Sequence, residues 1–307
     1  MKGKDFLTIS HLEPSEVEEI IMEAYRIKNG HTPDLLTGKT IALIFEKPSL
    51  RTRVSFEVGI KQMGGSCIFL SNQDIGLGVR EPESDVARVL DRLVDGIVAR
   101  VFSHHSLELL SKNTSLPIIN ALSDRAHPCQ ALGDFLTIFE KKGSLGGLKV
   151  AFIGDGNNIA GSLALACSSV GSEFVIASPK NHQLPQTVWD EANLISQRSQ
   201  TKLWWTSDPF EAVDNADVVY TDVWTSMGNE SEKLNRLKVF DGYQVNENLI
   251  SIADPEFLFM HDMPAHRGEE ISHNMLDHPN SVVYQQAENR LHAQKAILAR
   301  LFQNRQG

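Results

Sequence analysis

The sequence predicts an α/β protein made of two doubly wound parallel-sheet domains, Rossmann-like in pattern and linked by helices. The chain has 307 residues, more than one hydrophobic core ordinarily serves, so two domains are expected. Short continuous apolar runs, typical of strands buried on both faces, recur along it. Segments with helical periodicity separate these runs, and such alternation is typical of a parallel sheet covered on both faces.

The first half of the chain begins with a helical apolar stripe over residues 17–25. Four apolar runs that follow are predicted to be strands: TIALIF, CIFL, GIVARVF and PIINAL. Helices are predicted between them over residues 53–63, 84–94 and 106–112, because apolar side chains recur there at helical spacing. The pair Gly64-Gly65 is typical of a helix stop.

The second half repeats the alternation after a helix, PCQALGDFLTIFEKK, and a glycine-bearing hinge or boundary, KGSLGG. Its predicted strands are LKVAFIG, EFVIAS, KLWW, DVVYTDVW and FLFMH, and its helices cover residues 159–170, 186–196 and 209–213. One long helix, SVVYQQAENRLHAQKAILARLF, closes the chain. The predicted domains are therefore 1–143 and 144–280, with 281–307 expected to pack back on the first.

The composition excludes several classes of function. Hydrophobic residues make up 41% and charged residues 22%, as in soluble globular proteins. A net charge of −10 argues against a nucleic-acid partner, because such surfaces need a basic face to replace counterions. No membrane span and no signal peptide are expected. Three cysteines without a CxxC pair predict neither a disulfide framework nor a zinc site, and the cytoplasm is the expected location.

The stretch FEKPSLRTRVSFEVG, residues 45–59, concentrates cations and hydroxyls where the first strand becomes a helix. A helix N-terminus offers unpaired N–H groups and a positive dipole end, and Ser49, Arg51 and Thr52 add donors suited to a phosphate dianion. Ligands of doubly wound sheets bind beyond the carboxyl ends of strands. The alternative is an N-cap by Ser49 with solvated arginines. The triphosphate-binding pattern GxxxxGK[ST] is absent.

Other candidate residues also follow predicted strands. Arg100 ends GIVARVF and is equally a structurally paired arginine or a ligand-binding one. His127 and Gln130 lie in AHPCQALGD, where His127 by itself is equally a helix cap, a core histidine or a functional group. In TDVWTSMGNE, Asp222 suits an amine, while Ser226 and Met227 offer hydroxyl and backbone contacts.

Taken together, these stretches resemble the aspartate/ornithine carbamoyltransferase family, the transcarbamoylases, and most closely its ornithine branch. The family's SxRTR motif is similar to Ser49-Leu50-Arg51-Thr52-Arg53, and its HPxQ motif to His127-Pro128-Cys129-Gln130. The ornithine-type D-x-x-x-S-M-G motif matches residues 222–228. GDGNN and AENR match too, in the family's order along nearly the whole chain.

The resemblance implies a reaction in which the side-chain amine of ornithine attacks carbamoyl phosphate, giving citrulline and phosphate, without metal or cofactor. It implies that carbamoyl phosphate is bound by Ser49, Leu50, Arg51, Thr52, Arg100, His127, Gln130, Met263 and Arg290. It further implies that ornithine is bound by Asn158, Asp222, Ser226 and Met227. A homotrimer, or a multiple of trimers, is implied as well, with the segment around residues 73–78 reaching a neighbouring subunit.

Two positions depart from the family pattern. Leu50 replaces the usual threonine, but the contact implied there is through the backbone. Asp262 stands in His261-Asp262-Met263-Pro264 where ornithine enzymes usually have His-Cys-Leu-Pro. With Arg51, Arg100 and His127 it completes the set of candidate catalytic residues.

Three roles are open to Asp262. Ionised, it would bind the ammonium of ornithine and raise the pKa of that amine from about 10.4, which hinders attack. It could instead accept the proton as a base, although an ordinary aspartate pKa is about 3.9. Thirdly, it could point away and pair with His261 or His266. The carbonyl of Met263 could still bind the carbamoyl N–H, aimed by a cis bond before Pro264.

Other functions remain as alternatives at this stage. The acceptor could be putrescine or N-acylornithine, and the chain could be a non-catalytic member of the fold. An NAD-dependent oxidoreductase is the rival from another class. However, Gly154, Gly156 and Gly161 break the GxGxxG spacing, and the strand EFVIAS ends without an acidic residue for a ribose.

Overall fold

The computed structural model describes residues 5–30, 32–225 and 230–303. It divides into two compact units, unit 1 (Met1–Leu136 and Glu288–Gly307) and unit 2 (Thr137–Ala287). The chain passes from unit 1 to unit 2 within one helix and returns within another. Among the described residues, no helix combines the length and apolarity that crossing a bilayer requires.

Unit 1 is built on a four-stranded, wholly parallel sheet in the order β2-β1-β3-β4. Its strands are β1 (Thr40–Phe45), β2 (Ser66–Ser71), β3 (Gly96–Arg100) and β4 (Ile118–Leu122). The helices are α1 (Pro14–Lys28), α2 (Leu50–Gln62), α3 (Asn72–Ile75), α4 (Glu83–Leu90), α5 (His104–Lys112) and α6 (Pro128–Lys142). The last residue of β1, Phe45, pairs with Ser71 and Arg100, so the carboxyl ends of these strands lie at one edge.

Unit 2 contains a five-stranded parallel sheet in the order β7-β6-β5-β8-β9. The strands are β5 (Lys149–Ile153), β6 (Glu173–Ala177), β7 (Leu203–Thr206), β8 (Val218–Thr221) and β9 (Leu258–His261). The helices are α7 (Asn158–Val170), α8 (Gln186–Ser199), α9 (Pro209–Val213), α10 (Lys233–Val239) and α11 (Glu247–Ile250). The last helix, α12 (Val283–Gln303), begins in unit 2 and continues into unit 1. Thr221 pairs with Ile153 and His261, so the segments after β5, β8 and β9 leave the sheet at one edge.

These sheets confirm the predicted fold class, and β1 has the predicted bounds. Several helix ends differ from prediction, among them the start of α5 at His104 instead of residue 106 and the end of α8 at Ser199 instead of residue 196. α2 begins at Leu50, three residues early, because Ser49 caps it, and α4 ends at Leu90 instead of residue 94. The short helices α3, α10 and α11 were not predicted, since one or two turns carry little periodicity. α3 occupies part of the segment around residues 73–78, which the resemblance implies reaches a neighbouring subunit.

The predicted helix stop after α2 is confirmed. Gly64 has φ +84°, a left-handed conformation that side chains disfavour. A Cβ there would also approach the Asp34 carboxylate oxygen to 2.0 Å. The backbone conformation explains why the chain needs glycine where α2 turns into β2, whereas the Asp34 carboxylate is the end of a flexible side chain that can move aside.

Candidate active site

The N-terminus of α2 lies directly beyond β1. Ser49 is the N-cap, and its side chain accepts the N–H of Thr52 at 3.3 Å. The N–H of Leu50 belongs to the first turn, where a helix leaves its donors without intrahelical partners, while its side chain is 74% exposed. Ser49 is thus an N-cap, as the alternative interpretation predicted. The cap still leaves a helix N-terminus suited to an anion.

The two arginines of this motif differ in environment. Arg53 is half-exposed, pairs with Glu57 at 2.7 Å, and lies over the Phe69 ring at 3.7 Å. Arg51 is partly buried, with its Nε enclosed. Arg53 therefore has a structural environment, and Arg51 remains the candidate for phosphate.

Four predicted residues come together in unit 1 around His127. Thr52, Arg100, His127 and Arg290 are each at most 5% exposed. Arg290 donates a hydrogen bond to Thr52 Oγ1, across 238 positions of sequence. Burial, and then the charges of Arg290 and Arg100, hold the pKa of His127 well below its usual value. The imidazole is therefore neutral at pH 7 and can donate one N–H without carrying charge.

Arg290 reaches this cluster because α6 carries Gly133 at the crossing with α12. A Cβ at Gly133 would lie 3.3 Å from the Cα and N of Arg290, which is tighter than most such contacts. The absence of a side chain on Gly133 thus permits the approach of Arg290. This is a packing reason for glycine inside a helix that it otherwise weakens.

Gln130 lies on the first turn of α6, one turn after His127, and is 1% exposed. Its Nε2 donates to Asp134 Oδ1 at 2.8 Å, which fixes the orientation of the amide. Among the described residues, no donor pairs with its buried Oε1. An acceptor held in this way suits the N–H of a carbamoyl group.

In unit 2, the segments after β5 and β8 are joined by Asn157, a residue that was not predicted to belong to the site. Asn157 caps α7, its Oδ1 accepting from the N–H groups of Ile159 and Ala160. Its Nδ2 donates to Asp222 Oδ2 at 2.7 Å. Asp222 is thereby fixed beside α7, where the predicted Asn158 is the first helical residue. The signal available was an asparagine directly before a helix, which is typical of an N-cap.

The segment after β9 brings Asp262 beside Asp222. One oxygen of each carboxylate and one ring nitrogen of His261 lie within 4.8 Å of one another. Asp262 Oδ1 is 3.5 Å from His261 Nδ1, too long for a hydrogen bond. Asp262 thus lies close to His261 without a direct hydrogen bond to its Nδ1, and two carboxylates together favour a cation such as an ammonium.

His261 is held by groups on both sides of its ring. Its Nδ1 accepts the N–H of Met263 at 2.9 Å, and its Nε2 is 3.2 Å from the buried Glu270 carboxylate. This network assigns the ring proton to Nε2. Glu270 was not predicted, because no local pattern marks a carboxylate nine residues away. The expected cis bond between Met263 and Pro264 is present.

The donor sets also bear on metal binding. Within the described ranges, a second acidic group, His266, Glu269 and Glu270, has ligand atoms within 4.8 Å. In the group of Asp222, His261 and Asp262, both ring nitrogens of His261 are already engaged, Nδ1 by Met263 and Nε2 by Glu270, so the available ligands reduce to the two carboxylates. The predicted ornithine contacts Ser226 and Met227 lie outside the described residues.

Both units match domains of a known protein family. Residues 4–140 match the carbamoyl-phosphate-binding domain of aspartate/ornithine carbamoyltransferases, and residues 146–301 match their Asp/Orn-binding domain. An ornithine carbamoyltransferase from Anoxybacillus flavithermus is 50% identical over 98% of this chain and 97% of its own length. The relative from Bacillus subtilis is 49% identical over 96% and 93%.

Solved structures agree with these matches. Ornithine carbamoyltransferase from Pyrococcus furiosus superposes with TM-score 0.93 at 47% identity, covering 96% of each chain. An N-acetyl-L-ornithine transcarbamylase mutant superposes with TM-score 0.87 at 29% identity, over 97% of this chain and 99% of its own. The resemblance found in the motifs is confirmed, and this chain belongs to the aspartate/ornithine carbamoyltransferase family.

Proposed function

We propose that this protein transfers the carbamoyl group of carbamoyl phosphate to the side-chain amine of L-ornithine, giving L-citrulline and phosphate in arginine biosynthesis. The observation that carries the proposal is the buried group of Thr52, Arg100, His127 and Arg290 beside the N-terminus of α2. Relatives named ornithine carbamoyltransferase are about 50% identical, whereas the N-acetylornithine enzyme is 29% identical. A Pyrococcus furiosus relative, 48% identical, is named the anabolic enzyme.

In this proposal unit 1 holds carbamoyl phosphate. The α2 N–H groups with Ser49, Arg51 and Thr52 bind the phosphate. Thr52, Arg100 and His127 face the carbonyl oxygen, Gln130 Oε1 accepts the carbamoyl N–H, and Arg290 lies near the same group. Donors fixed at that oxygen stabilise the tetrahedral intermediate more than the substrate, because the oxygen becomes negatively charged only in the intermediate.

Unit 2 in turn holds ornithine. Asn158, Asp222, Ser226 and Met227 bind its α-carboxylate and α-amine. The neutral side-chain amine attacks the carbonyl carbon to form the new C–N bond, and the proton that its nitrogen then loses passes to an oxygen of the leaving phosphate. The C–O bond to phosphate then breaks, and the leaving phosphate takes up negative charge where α2 and Arg51 stabilise it.

Citrulline formation from purified protein, carbamoyl phosphate and L-ornithine tests the proposal directly. Citrulline is expected to form faster than in the uncatalysed reaction, and putrescine and N-acetylornithine are expected to be carbamoylated at far lower rates. A preference for either of those amines would show that the acceptor has been misassigned. Carbamoylation of none of the three would favour a non-catalytic member of the family.

Replacing Asp262 by cysteine is expected to retain activity and shift its pH dependence. The ionised carboxylate stabilises the ammonium form of ornithine, so its removal lowers the pKa of the bound amine. The acid limb of kcat, which reports ionisations in the enzyme–ornithine complex, should then move about one unit to lower pH. Steady-state pH profiles measure the shift, and Asp241→Cys, at an exposed aspartate of unit 2, is the matched control. An unmoved limb would place Asp262 away from the amine.

We infer that the protein is a homotrimer, or a multiple of trimers, in the cytoplasm. On α2, Leu50, Val54 and Val58 are 74%, 48% and 38% exposed at a spacing that places them on one face. An exposed apolar stripe of this kind fits an interface between copies of the chain. Cys67, Cys129 and Cys167 are free thiols, as suits a reducing compartment. The mass in solution, measured by light scattering, tests the assembly.

A further inference from the structure

Unit 2 contains a buried ion pair outside the predicted site residues. Arg236 on α10 donates through Nη2 to Asp155 Oδ2, and their side chains are only 9% and 16% exposed. Buried charges of this kind are strongly destabilising when one partner is removed. A pair that spans 81 positions of sequence therefore holds together the segments in which its partners lie.

The segments it joins are those that carry the predicted ornithine contacts. Asp155 lies in the turn between β5 and α7, where its carbonyl accepts the N–H of Asn157 at 2.7 Å. On the other side, Arg236 Nε donates to the carbonyl of Trp224 at 2.8 Å, two residues after Asp222. One guanidinium thus bonds both segments, and the Asn157–Asp222 hydrogen bond links them a second time.

Aromatic packing fixes the guanidinium in this position. Arg236 lies 5.7 Å from the centre of the Phe240 ring, and Phe240 stacks on Trp224 at 5.7 Å and 18°. His182 packs edge-on against Phe240 at 4.9 Å, and its Nδ1 is 3.1 Å from the second oxygen of Asp155. Arg236 and Asp155 therefore have little freedom to adopt another arrangement.

We propose that Asp155 and Arg236 are positioning residues for the amino-acid end of ornithine. They hold Asn158 and Asp222 at a fixed separation and anchor, through Trp224, the start of the segment that continues to Ser226 and Met227. The inference rests on the proposed function. It predicts that loss of either residue raises KM for ornithine and leaves KM for carbamoyl phosphate nearly unchanged.

The test compares Arg236→Gln with Lys238→Gln, which removes a charge from an exposed position of the same helix. For Arg236→Gln, KM for ornithine should rise about tenfold or more, the size of one lost charge-assisted hydrogen bond. KM for carbamoyl phosphate should stay within about twofold, as should both constants in Lys238→Gln. Arg236→Lys keeps the charge but not both hydrogen bonds, so its KM for ornithine should lie between those of wild type and Arg236→Gln.

Asp155→Asn provides an independent arm if Arg236→Gln does not fold. It should raise KM for ornithine selectively, and the double variant should be little worse than the more impaired single one, because the partners act as a unit. An unchanged ornithine KM, or an equal rise in both KM values, would overturn the inference and leave the function standing. A wild-type protein that forms no citrulline would overturn both.

Discussion

Replacing Arg51 by glutamine is expected to reduce kcat/KM for carbamoyl phosphate by about 10²–10³-fold. A guanidinium donates two charge-assisted hydrogen bonds to a phosphate, each worth about 1.5–3 kcal/mol, and glutamine cannot replace the fork or the charge. The site also loses a cation beside the α2 N-terminus, where the leaving phosphate gains negative charge. Steady-state kinetics with carbamoyl phosphate varied, together with product inhibition by inorganic phosphate, measures the effect.

Arg53→Gln is the matched control, because Arg53 is on the same helix two residues away but pairs with Glu57 on the surface. Exposed ion pairs contribute about 0–1 kcal/mol, so this variant should change kcat/KM by less than about threefold. Equal losses in the two variants would mean that Arg51 acts only through the overall charge of α2. Inhibition by phosphate should weaken in Arg51→Gln alone.

Replacing His127 by alanine is expected to lower kcat by about 10²–10³-fold with a much smaller change in KM for carbamoyl phosphate. The imidazole is buried, and its pKa is depressed by burial and by the charges of Arg290 and Arg100, so it is neutral at pH 7. A neutral N–H aimed at the carbonyl oxygen stabilises the transition state, and loss of one such donor has effects of about this size. Single-turnover and steady-state rates separate the chemical step from binding.

His104→Ala serves as a comparison, since His104 is a buried histidine of unit 1 that bonds Ser123 and was not assigned to the site. It should lower thermal stability without a comparable loss in kcat. Because the depressed pKa keeps His127 neutral as pH falls through its ordinary value, wild-type kcat should show no His127 titration near pH 6.5. A kcat for His127→Ala close to wild type would remove His127 from the chemistry.

The fold was largely readable because its signals are local. A buried parallel strand needs a continuous apolar run, and TIALIF supplied one that matches β1 residue for residue. Helix ends were less certain, since α2 begins where the Ser49 cap satisfies a backbone donor and not where the apolar stripe starts. Short helices such as α11 contain too few residues for a period to be seen.

The candidate site was readable only in part. Parallel strands bring their carboxyl ends to one edge, so placing Arg100 and Asp222 after strands required no knowledge of contacts. The resemblance to the family's motifs then identified residues whose contacts are with residues distant in sequence. Asn157, Glu270 and Arg236 were missed because their importance lies in hydrogen bonds to residues distant in sequence.

By itself, then, the sequence determined the alternation of strands and helices, the family, and the side chains available at each strand end. These depend on periodicity, capping and motif spacing, which extend over a few residues. Only the tertiary structure decided that Arg290 bonds Thr52, that Asp262 lies beside Asp222, and that Arg236 joins two segments of unit 2. Such contacts depend on which segments, distant in sequence, pack against one another. The burial and the neighbouring charges that keep His127 neutral depend on the same packing.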